Sequence, residues 1–526
     1  MNYEKKTIHD VDFNNKVTLV RVDFNVPVCD GIIEDDTRII AALDTIKYLL
    51  NKETKIVLLS HFGRVKSLDD LKKRSLLPVY NHLKTLLPDV EINFEENNIN
   101  PELKNIIGNM PNKSILLLEN TRFNDIDEFG NIVKNESGNN EELSKFWASL
   151  GDVFVNEAFG TSHRSHASNV GIANNIKESC IGFLIQKELQ MLTKALTKPE
   201  HPIVAIFGGA KVSDKIKSIE NIATIADYIL IGGGMSYTFQ KCRGYDIGKS
   251  LFDEESFEIS KNLLEKYGDK IVLPVDVHAS IEFADTKPTK FKIENFGGDY
   301  EGLDIGRKTI KIFKRFLKNA KTILWNGPLG VCEFSNYQNG TKQICKIIAK
   351  SAIKNNCFTL VGGGDSAAAV TTLGFGHFFT HISTGGGATI TFLEGSELVG
   401  ISSIQNIGDP IKDIEVVVKQ KEITTKSDEI KKESKTTKTS SKKADKDKVK
   451  STKKLDKKDV SKTIKKPVPK KADNNKTANV KKSEKKAISK TIKKPVPKST
   501  AGKKSTKSAK KQTSKSKNSI LNKNIW

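Results

Sequence analysis

The 526-residue sequence predicts an α/β protein of two doubly wound parallel sheets, joined by a long helix and followed by a basic extension. Three observations lead there. Short apolar, β-branched runs alternate with helical patterns along most of the chain, as in a parallel sheet wound on both faces. Most of these runs end in a turn rich in arginine, histidine or glycine, and in wound sheets the ligand crevice lies at the carboxyl ends of the strands. The charge also divides sharply. Of 86 basic and 63 acidic residues, 38 lysines and 10 acids lie at 419–526, leaving 48 basic against 53 acidic residues, a net of −5, for residues 1–418.

Composition narrows the function classes. The six cysteines (Cys29, Cys180, Cys242, Cys332, Cys345 and Cys357) are scattered without a C-x-x-C pair or a metal-ligand spacing, which favours reduced thiols. The N-terminus carries charges where a signal peptide needs an apolar core, and no run is long enough to span a membrane. A cytoplasmic body is expected.

In the first half, Val17–Phe24 reads as a strand whose end carries Arg21, Asp23 and Asn25 before Pro27 breaks it. Asp36, Thr37 and Arg38 open an amphipathic helix running to about Leu50. Lys55–Ser60 is a second strand, ending in His61, Phe62, Gly63 and Arg64. Ser114–Glu119 ends in Asn120, Thr121 and Arg122. Asp152–Val155 is followed by the stretch from Asn156 to His166, and a helical pattern lies between at Glu141–Leu150. Arg21, Arg38, Arg64, Arg122 and Arg164 all fall at or just after strand ends, with His61, His163 and His166 nearby. One such arginine is usually a solvated surface residue. Five at equivalent places indicate a site for a small, multiply anionic ligand, because guanidinium forks suit phosphate and carboxylate oxygens. The pair His163-x-x-His166 has half the spacing of a metal site but no third ligand.

From Gly182 to about Leu196, apolar residues recur at helical spacing, with Pro199 and Pro202 beyond: a long connecting helix whose apolar stripe reads as packing surface. The second half repeats one device. Ile203–Phe207 turns through Gly208 and Gly209 toward a helix, with Lys211 and Lys215 four apart on one helical face. Tyr228–Ile231 runs into Gly232–Gly234, Thr322–Asn326 into Gly327 and Pro328, and Cys357–Val361 into Gly362, Gly363, Gly364, Asp365 and Ser366. His381–Thr384 leads to Gly385–Gly387. Glycine turns at strand ends let backbone N–H groups approach phosphate, so several together predict a nucleotide site. A carboxylate at Asp365 repels phosphate unless a cation lies between; the alternative is that Asp365 caps the helix. The stretch from Gly244 to Ser250 looks like a phosphate-binding loop but has three residues between its glycines where that motif needs four, and reads as a surface turn.

Taken in order, RVDFNVP (Arg21–Pro27), SHFGR (Ser60–Arg64), LLLENTRF (Leu116–Phe123), NEAFGTSHRSHAS (Asn156–Ser168), GFLIQKEL (Gly182–Leu189), GGAKVSDKI (Gly208–Ile216), GGGMSYTF (Gly232–Phe239), LPVD (Leu273–Asp276), WNGP (Trp325–Pro328), GGGDSAAAV (Gly362–Val370) and HISTGGGA (His381–Ala388) resemble the phosphoglycerate kinase family over roughly residues 5–408. Any one block is weak; the ordered set is specific. The resemblance implies two Rossmann-like domains with a hinge: 1–181 for 3-phosphoglycerate, an interdomain helix at 182–200, 201–390 for nucleotide, and 391–418 returning to the first domain. By matching position, Asp23, Phe24, Asn25, Arg38, His61, Phe62, Gly63, Arg64, Arg122 and Arg164 would bind the glycerate substrate. Lys215, Gly302, Glu333, Gly362, Gly363, Gly364, Asp365 and Ser366 would bind nucleotide, with Glu333 on the ribose and Asp365 on Mg²⁺. Ser366 would then be left to cap its helix. Arg38, Lys211, Gly364 and Gly387 would surround the phosphoryl group in flight. The implied reaction is reversible transfer between 1,3-bisphosphoglycerate and ADP, giving 3-phosphoglycerate and MgATP, by an expected monomer. Val65, Leu329, Cys332 and Arg307 depart from the family pattern but replace no implied contact residue.

Residues 419–526 stand outside this likeness. They are rich in Lys, Ser, Thr, Ala and Pro, contain no aromatic before Trp526, and repeat SKTIKKPVPK at Ser461–Lys470 and Ser489–Lys498. Such a stretch buries too little apolar surface to fold alone, so a disordered tail is expected. Its net charge of +28 suits either a solvated appendage or non-specific attachment to a polyanion such as DNA, RNA, anionic lipid or an acidic protein. This opens a second class of function, in which a kinase-like body mainly carries this tail.

Overall fold

A computed structural model describes residues 3–412; the stretch at 419–526, and with it the expectation of a disordered tail, lies outside the described residues. The described residues belong to one compact unit. Its first sheet contains β1 (Val17–Arg21), β2 (Lys55–Leu59), β3 (Ile92–Glu95), β4 (Ile115–Leu118), β5 (Val153–Asn156) and β6 (Glu178–Ile181). They lie in the order β3-β4-β2-β1-β5-β6, all parallel. The order reverses direction at β1, so the loops after β1, β2 and β5 flank the switch point where such sheets leave a crevice.

The second half follows as β7 (Ile203–Phe207), β8 (Tyr228–Ile231), β9 (Ile271–Val272), β10 (Asp276–Ser280), β11 (Thr289–Lys292), β12 (Glu301–Ile305), β13 (Thr322–Asn326), β14 (Phe358–Gly362) and β15 (His381–Ile382). Six of them form a parallel sheet in the order β9-β8-β7-β13-β14-β15. The other three form an antiparallel sheet, β11-β10-β12, that the reading of the sequence did not anticipate. β11 is TKFK, mostly exposed and charged, so it shows none of the apolar continuity that marks a buried parallel strand.

Three helices position the site and join the two sheets. In α1 (Thr37–Leu50), Ile39, Ala42, Leu43, Ile46, Leu49 and Leu50 are buried, a helical stripe that leaves Arg38 beside the sheet edge. In α2 (Glu141–Ala148), Asn140 caps the first turn through Leu143 N–H. In α3 (Phe183–Thr197), Ile185, Leu189, Leu192 and Ala195 are buried in one apolar core that runs from Phe154 of the first sheet to Ala205 of the second. The stripe on α3 is therefore packing surface, and each fully buried Leu or Ile stabilises by roughly 1.5–3 kcal/mol. Residues 400–405 lie against the first sheet: Lys6 N–H donates to the Gln405 carbonyl (2.9 Å) and Asn156 Nδ2 to the Gly400 carbonyl (2.8 Å).

Several boundaries shift from the sequence reading. β1 ends at Arg21, three residues before the expected end, and this frees Asp23 and Asn25 from the ladder. The helix after β7, α4 (Ile216–Ala223), begins only at Ile216. Lys211 and Lys215 therefore precede it and do not share a helical face; the intervening turns are held by Lys215 N–H to the Val212 carbonyl (2.8 Å).

Candidate active site

The loops after β1, β2 and β5 meet over a cavity of about 280 Å³ lined by Asp23, Asn25, Arg38, His61, Gly63, Arg64, Arg122 and Arg164, together with Gly160, Thr161 and His163. Its remaining wall is Gly385, Gly386 and Gly387 at the end of the second sheet. Arg38 Nη1 donates to both Asp23 oxygens (3.1 Å each) and to the Asn25 carbonyl (3.2 Å), while Asn25 Oδ1 accepts from Gly63 N–H (2.9 Å). Gly63 has φ +66°, and a Cβ there would strike the Arg74 side chain at 2.8 Å. Arg64 and Arg164 are exposed, and Arg122 is anchored by Asp125 (2.9 Å).

The charges here are set by burial. Burial lowers the His61 ring to about 3, against the opposing pull of Asp23, so the ring is neutral at physiological pH. Its 3.8 Å approach to Asp23 is therefore no ion pair. Burial alone would raise the Asp23 carboxyl, but His61 as it gains its proton at low pH, with Arg38, Arg21 and the Asn25 N–H, holds it below the usual carboxylate range.

Not every implied residue reaches the cavity. Phe24 and Phe62 are buried and stand outside its lining; Phe24 N–H is taken by Ser60 Oγ (2.9 Å) and Phe62 N–H by Asn120 Oδ1 (2.9 Å). Arg21, the first of the five arginines, is fully buried and donates to Ser168 Oγ, so it supports the site from beneath. His163 and His166 turn to different partners, Arg164 and Arg122, and do not converge.

At the second sheet, the turns after β7, β8 and β13 are stitched together by backbone. Gly209 N–H donates to the Pro328 carbonyl (2.9 Å) and Met235 N–H to the Gly209 carbonyl (3.0 Å). Gly327 has φ +95°, and a Cβ there would lie 2.2 Å from the Gly208 carbonyl oxygen and 2.5 Å from Lys215 Nζ. Only glycine permits that approach. Lys215 Nζ donates to Asn326 Oδ1 (2.6 Å), and burial lowers its ammonium to about 8, with Asp365 and Asp214 opposing the shift. Asn326 was missed from the sequence, although it stands in WNGP at the end of a buried strand.

The turn after β14 carries Gly362, then Gly363 at φ +89°, then α5 (Gly364–Thr372). Asp365 is exposed in its first turn and makes no side-chain cap bond. Ser366 does not cap either: its Oγ accepts from Gly327 N–H at 2.5 Å and ties two glycine turns together. Lys211 and Glu333 are exposed on neighbouring loops. Gly302 lies in β12, where its N–H donates to Ser250 Oγ (3.0 Å) and its Cα packs under the Tyr237 hydroxyl. The stretch Gly244–Ser250 is a turn that sends Ser250 inward to Gly302, away from any phosphate role.

The two sheets meet through α3 and the last glycine turn. Glu188 of α3, itself buried, accepts from Thr384 N–H (2.7 Å) and pairs with His381 Nε2 (2.7 Å). The turn continues into α6 (Gly387–Leu393), and a Cβ on Gly387 would meet His163 Nε2 at 2.8 Å. Such an arrangement suits a small anion on one side and nucleotide phosphates on the other, with the transferred group between.

As for a metal, no group of three or more His, Cys, Asp or Glu stands together among the described residues. One exposed carboxylate, Asp365, at a glycine turn fits Mg²⁺ that arrives on nucleotide phosphates and keeps its own waters, the usual mode for that ion.

Comparison with known proteins accords with this geometry. The description of the family whose profile matches residues 8–396 is phosphoglycerate kinase. The phosphoglycerate kinase of Malacoplasma penetrans is 52% identical over 432 residues, covering 81% of this chain and 92% of the relative. That of Enterococcus faecalis is 51% identical over 403 residues, 76% of this chain and 99% of the relative. The solved structure of the Coxiella burnetii enzyme matches with a TM-score of 0.66 at 35% identity, over 76% of this chain and 98% of that one. The chain belongs to the phosphoglycerate kinase family.

Proposed function

We propose that the protein catalyses the glycolytic transfer of a phosphoryl group between 1,3-bisphosphoglycerate and ADP, yielding 3-phosphoglycerate and MgATP, and the reverse. The observation that carries this reading is the cavity in which Arg38, Arg64, Arg122 and Arg164 of one sheet face Gly385–Gly387 of the other. The substrate's phosphate and carboxylate suit the guanidinium forks, with Asp23, Asn25 and neutral His61 orienting them. Lys215 and the glycine turns, with Asp365, Glu333 and Gly302 near them, are assigned to the nucleotide.

Both nucleophiles, a carboxylate and a terminal phosphate, are already deprotonated, so the site needs no general base. In-line positioning and neutralisation of charge on the equatorial oxygens suffice. Arg38, Lys211 and the N–H groups at Gly364 and Gly387 are assigned to that work. Asp365 would hold the Mg²⁺ that arrives with the nucleotide, an ion that would supply charge neutralisation there. Residues 1–181 and 201–390 are taken as two domains that close about α3 and the Glu188–His381 contact, which excludes water before transfer.

A coupled assay with ATP and 3-phosphoglycerate tests this directly: turnover is expected from the full chain, and its absence sinks the reading. A cytoplasmic monomer is the working assignment, and among the described residues no helix is long and apolar enough to cross a membrane. The charge of residues 419–526 supports an added, sequence-independent affinity for nucleic acid. Removing them should abolish duplex DNA binding at low salt and leave both KM values within about twofold. The reading in which the body serves mainly as a carrier of that stretch gains no support from the family match.

A further inference from the structure

Glu136 is a fully buried acid in the loop before α2, in a stretch without a motif. Its carbonyl accepts from Ala167 N–H (2.9 Å), its Oε2 from Ser168 N–H (3.0 Å) and its Oε1 from Ser168 Oγ (2.6 Å). Both carboxylate oxygens thus act as acceptors; burial pushes this carboxyl up, and Arg21 and the Ser168 bonds oppose that shift. The Ser168 hydroxyl, its proton committed to Glu136, in turn accepts from Arg21 Nε (2.8 Å). Arg21 continues through Nη2 to His61 Nδ1 (3.3 Å).

A guanidinium can only donate, so His61 Nδ1 is an acceptor. The ring proton is then on Nε2, and His61 lines the phosphoglycerate cavity as a neutral donor. His166 stands near the same carboxylate without bonding to it. His166 Nε2 accepts from Arg122 Nη2 (3.2 Å), which puts the His166 proton on Nδ1, 4.0 Å from Glu136 Oε1. One wall of the cavity, His61, therefore traces back to Glu136, whereas His166 Nδ1 has no hydrogen-bond partner among the described residues and leaves Arg122 outside the relay.

We infer that Glu136 is a positioning residue for phosphoglycerate: through Ser168 and Arg21 it sets the His61 tautomer. A purely structural counter-charge for Arg21 is the competing role. A buried ion pair is weak evidence for stability, however, and Glu136 shares the counter-charge of Arg21 with Asp23. What Asp23 does not supply is the serine relay that orients Nε.

The inference rests on the proposed reaction, and the experiment separates the two. Steady-state kinetics on full-length Glu136→Gln and Ser168→Ala, each checked by thermal melting, should show KM for 3-phosphoglycerate raised about tenfold and about threefold, with KM for MgATP within about twofold. The double variant should be no worse than Glu136→Gln alone, because both act through one relay. Nitrogen NMR of His61 should report Nε2–H in the native protein and a mixture of tautomers in either variant. Equal rises in both KM values, or a lowered melting temperature with unchanged KM and an unchanged His61 tautomer, would overturn the inference. If Glu136→Gln fails to fold, Ser168→Ala decides by the same two readouts. Absence of turnover in the native protein sinks the reaction, while the tautomer measurement still tests Glu136.

Discussion

The edges of the two parallel sheets occupy equivalent places in equivalent folds, yet they are built from opposite materials. The first offers side chains: Arg38, Arg122 and His61 are aimed by Asp23, Asp125 and the buried Arg21, and the backbone beneath them is tied up in loops. The second offers backbone, with Gly208 and Gly327 packed so closely that a Cβ at Gly327 would lie 2.2 Å from the Gly208 carbonyl oxygen, and with Lys215 as its embedded cation. A compact trianionic substrate rewards rigid, directional forks. A flexible polyphosphate rewards many N–H donors that follow its curve. One topology serves both because the strand ends fix only where chemistry sits, not what it is made of.

The largest expected effect comes from the residues assigned to the transferred group. Arg38→Ala or Lys211→Ala should lower kcat by roughly 10²–10³-fold with the fold intact, as for loss of one preorganised donor. Near-normal kcat in both would mean that neither edge neutralises the transition state. Next, Lys215→Ala should raise KM for MgATP by roughly tenfold or more while leaving KM for 3-phosphoglycerate alone, the loss of one charge-assisted contact. Equal changes in both constants would break the division between the edges.

Gly327→Ala probes the backbone edge itself. The added methyl meets the Gly208 carbonyl at 2.2 Å, in a conformation with φ +95°, so unfolding experiments should show a loss of at least about 1–3 kcal/mol. An unchanged melting temperature would show that the turn relaxes freely.

The smallest effect is a pH dependence. Lys215 titrates near 8 in the fold against its ordinary 10.5, so between those values the unfolded chain holds the extra proton. Its contribution to stability therefore rises as pH climbs from about 8 toward 10.5. Nucleotide affinity should run the other way, with KM for MgATP rising a few-fold above about pH 8 as the ammonium is lost. Lys215→Arg should flatten that rise, because a guanidinium stays charged. A flat profile in the native protein would remove Lys215 from phosphate binding.

The legible part of this molecule is local. β-branched runs announce β1, β2, β5, β7 and β13, and the residues just beyond them are the ones that line the crevice, because a parallel strand can only deliver its next residues to its carboxyl end. The edge strand β3, the four-residue β6 and the antiparallel β10–β12 were illegible, since short or half-exposed strands carry little apolar pattern.

What the amino-acid order determined alone is therefore the alternation of strand and helix, the position of Arg38, His61, Arg122 and the glycine turns, and the charge contrast between residues 1–418 and 419–526. Tertiary structure decided the rest. It buried Arg21 while leaving Arg64 and Arg164 exposed, held Lys211 and Lys215 before α4 instead of on it, turned Ser366 from cap to tether, and joined Glu136 to residues 21 and 168. These outcomes depend on contacts between segments far apart along the chain, and a side chain's partner, burial and charge state are settled only when those segments pack.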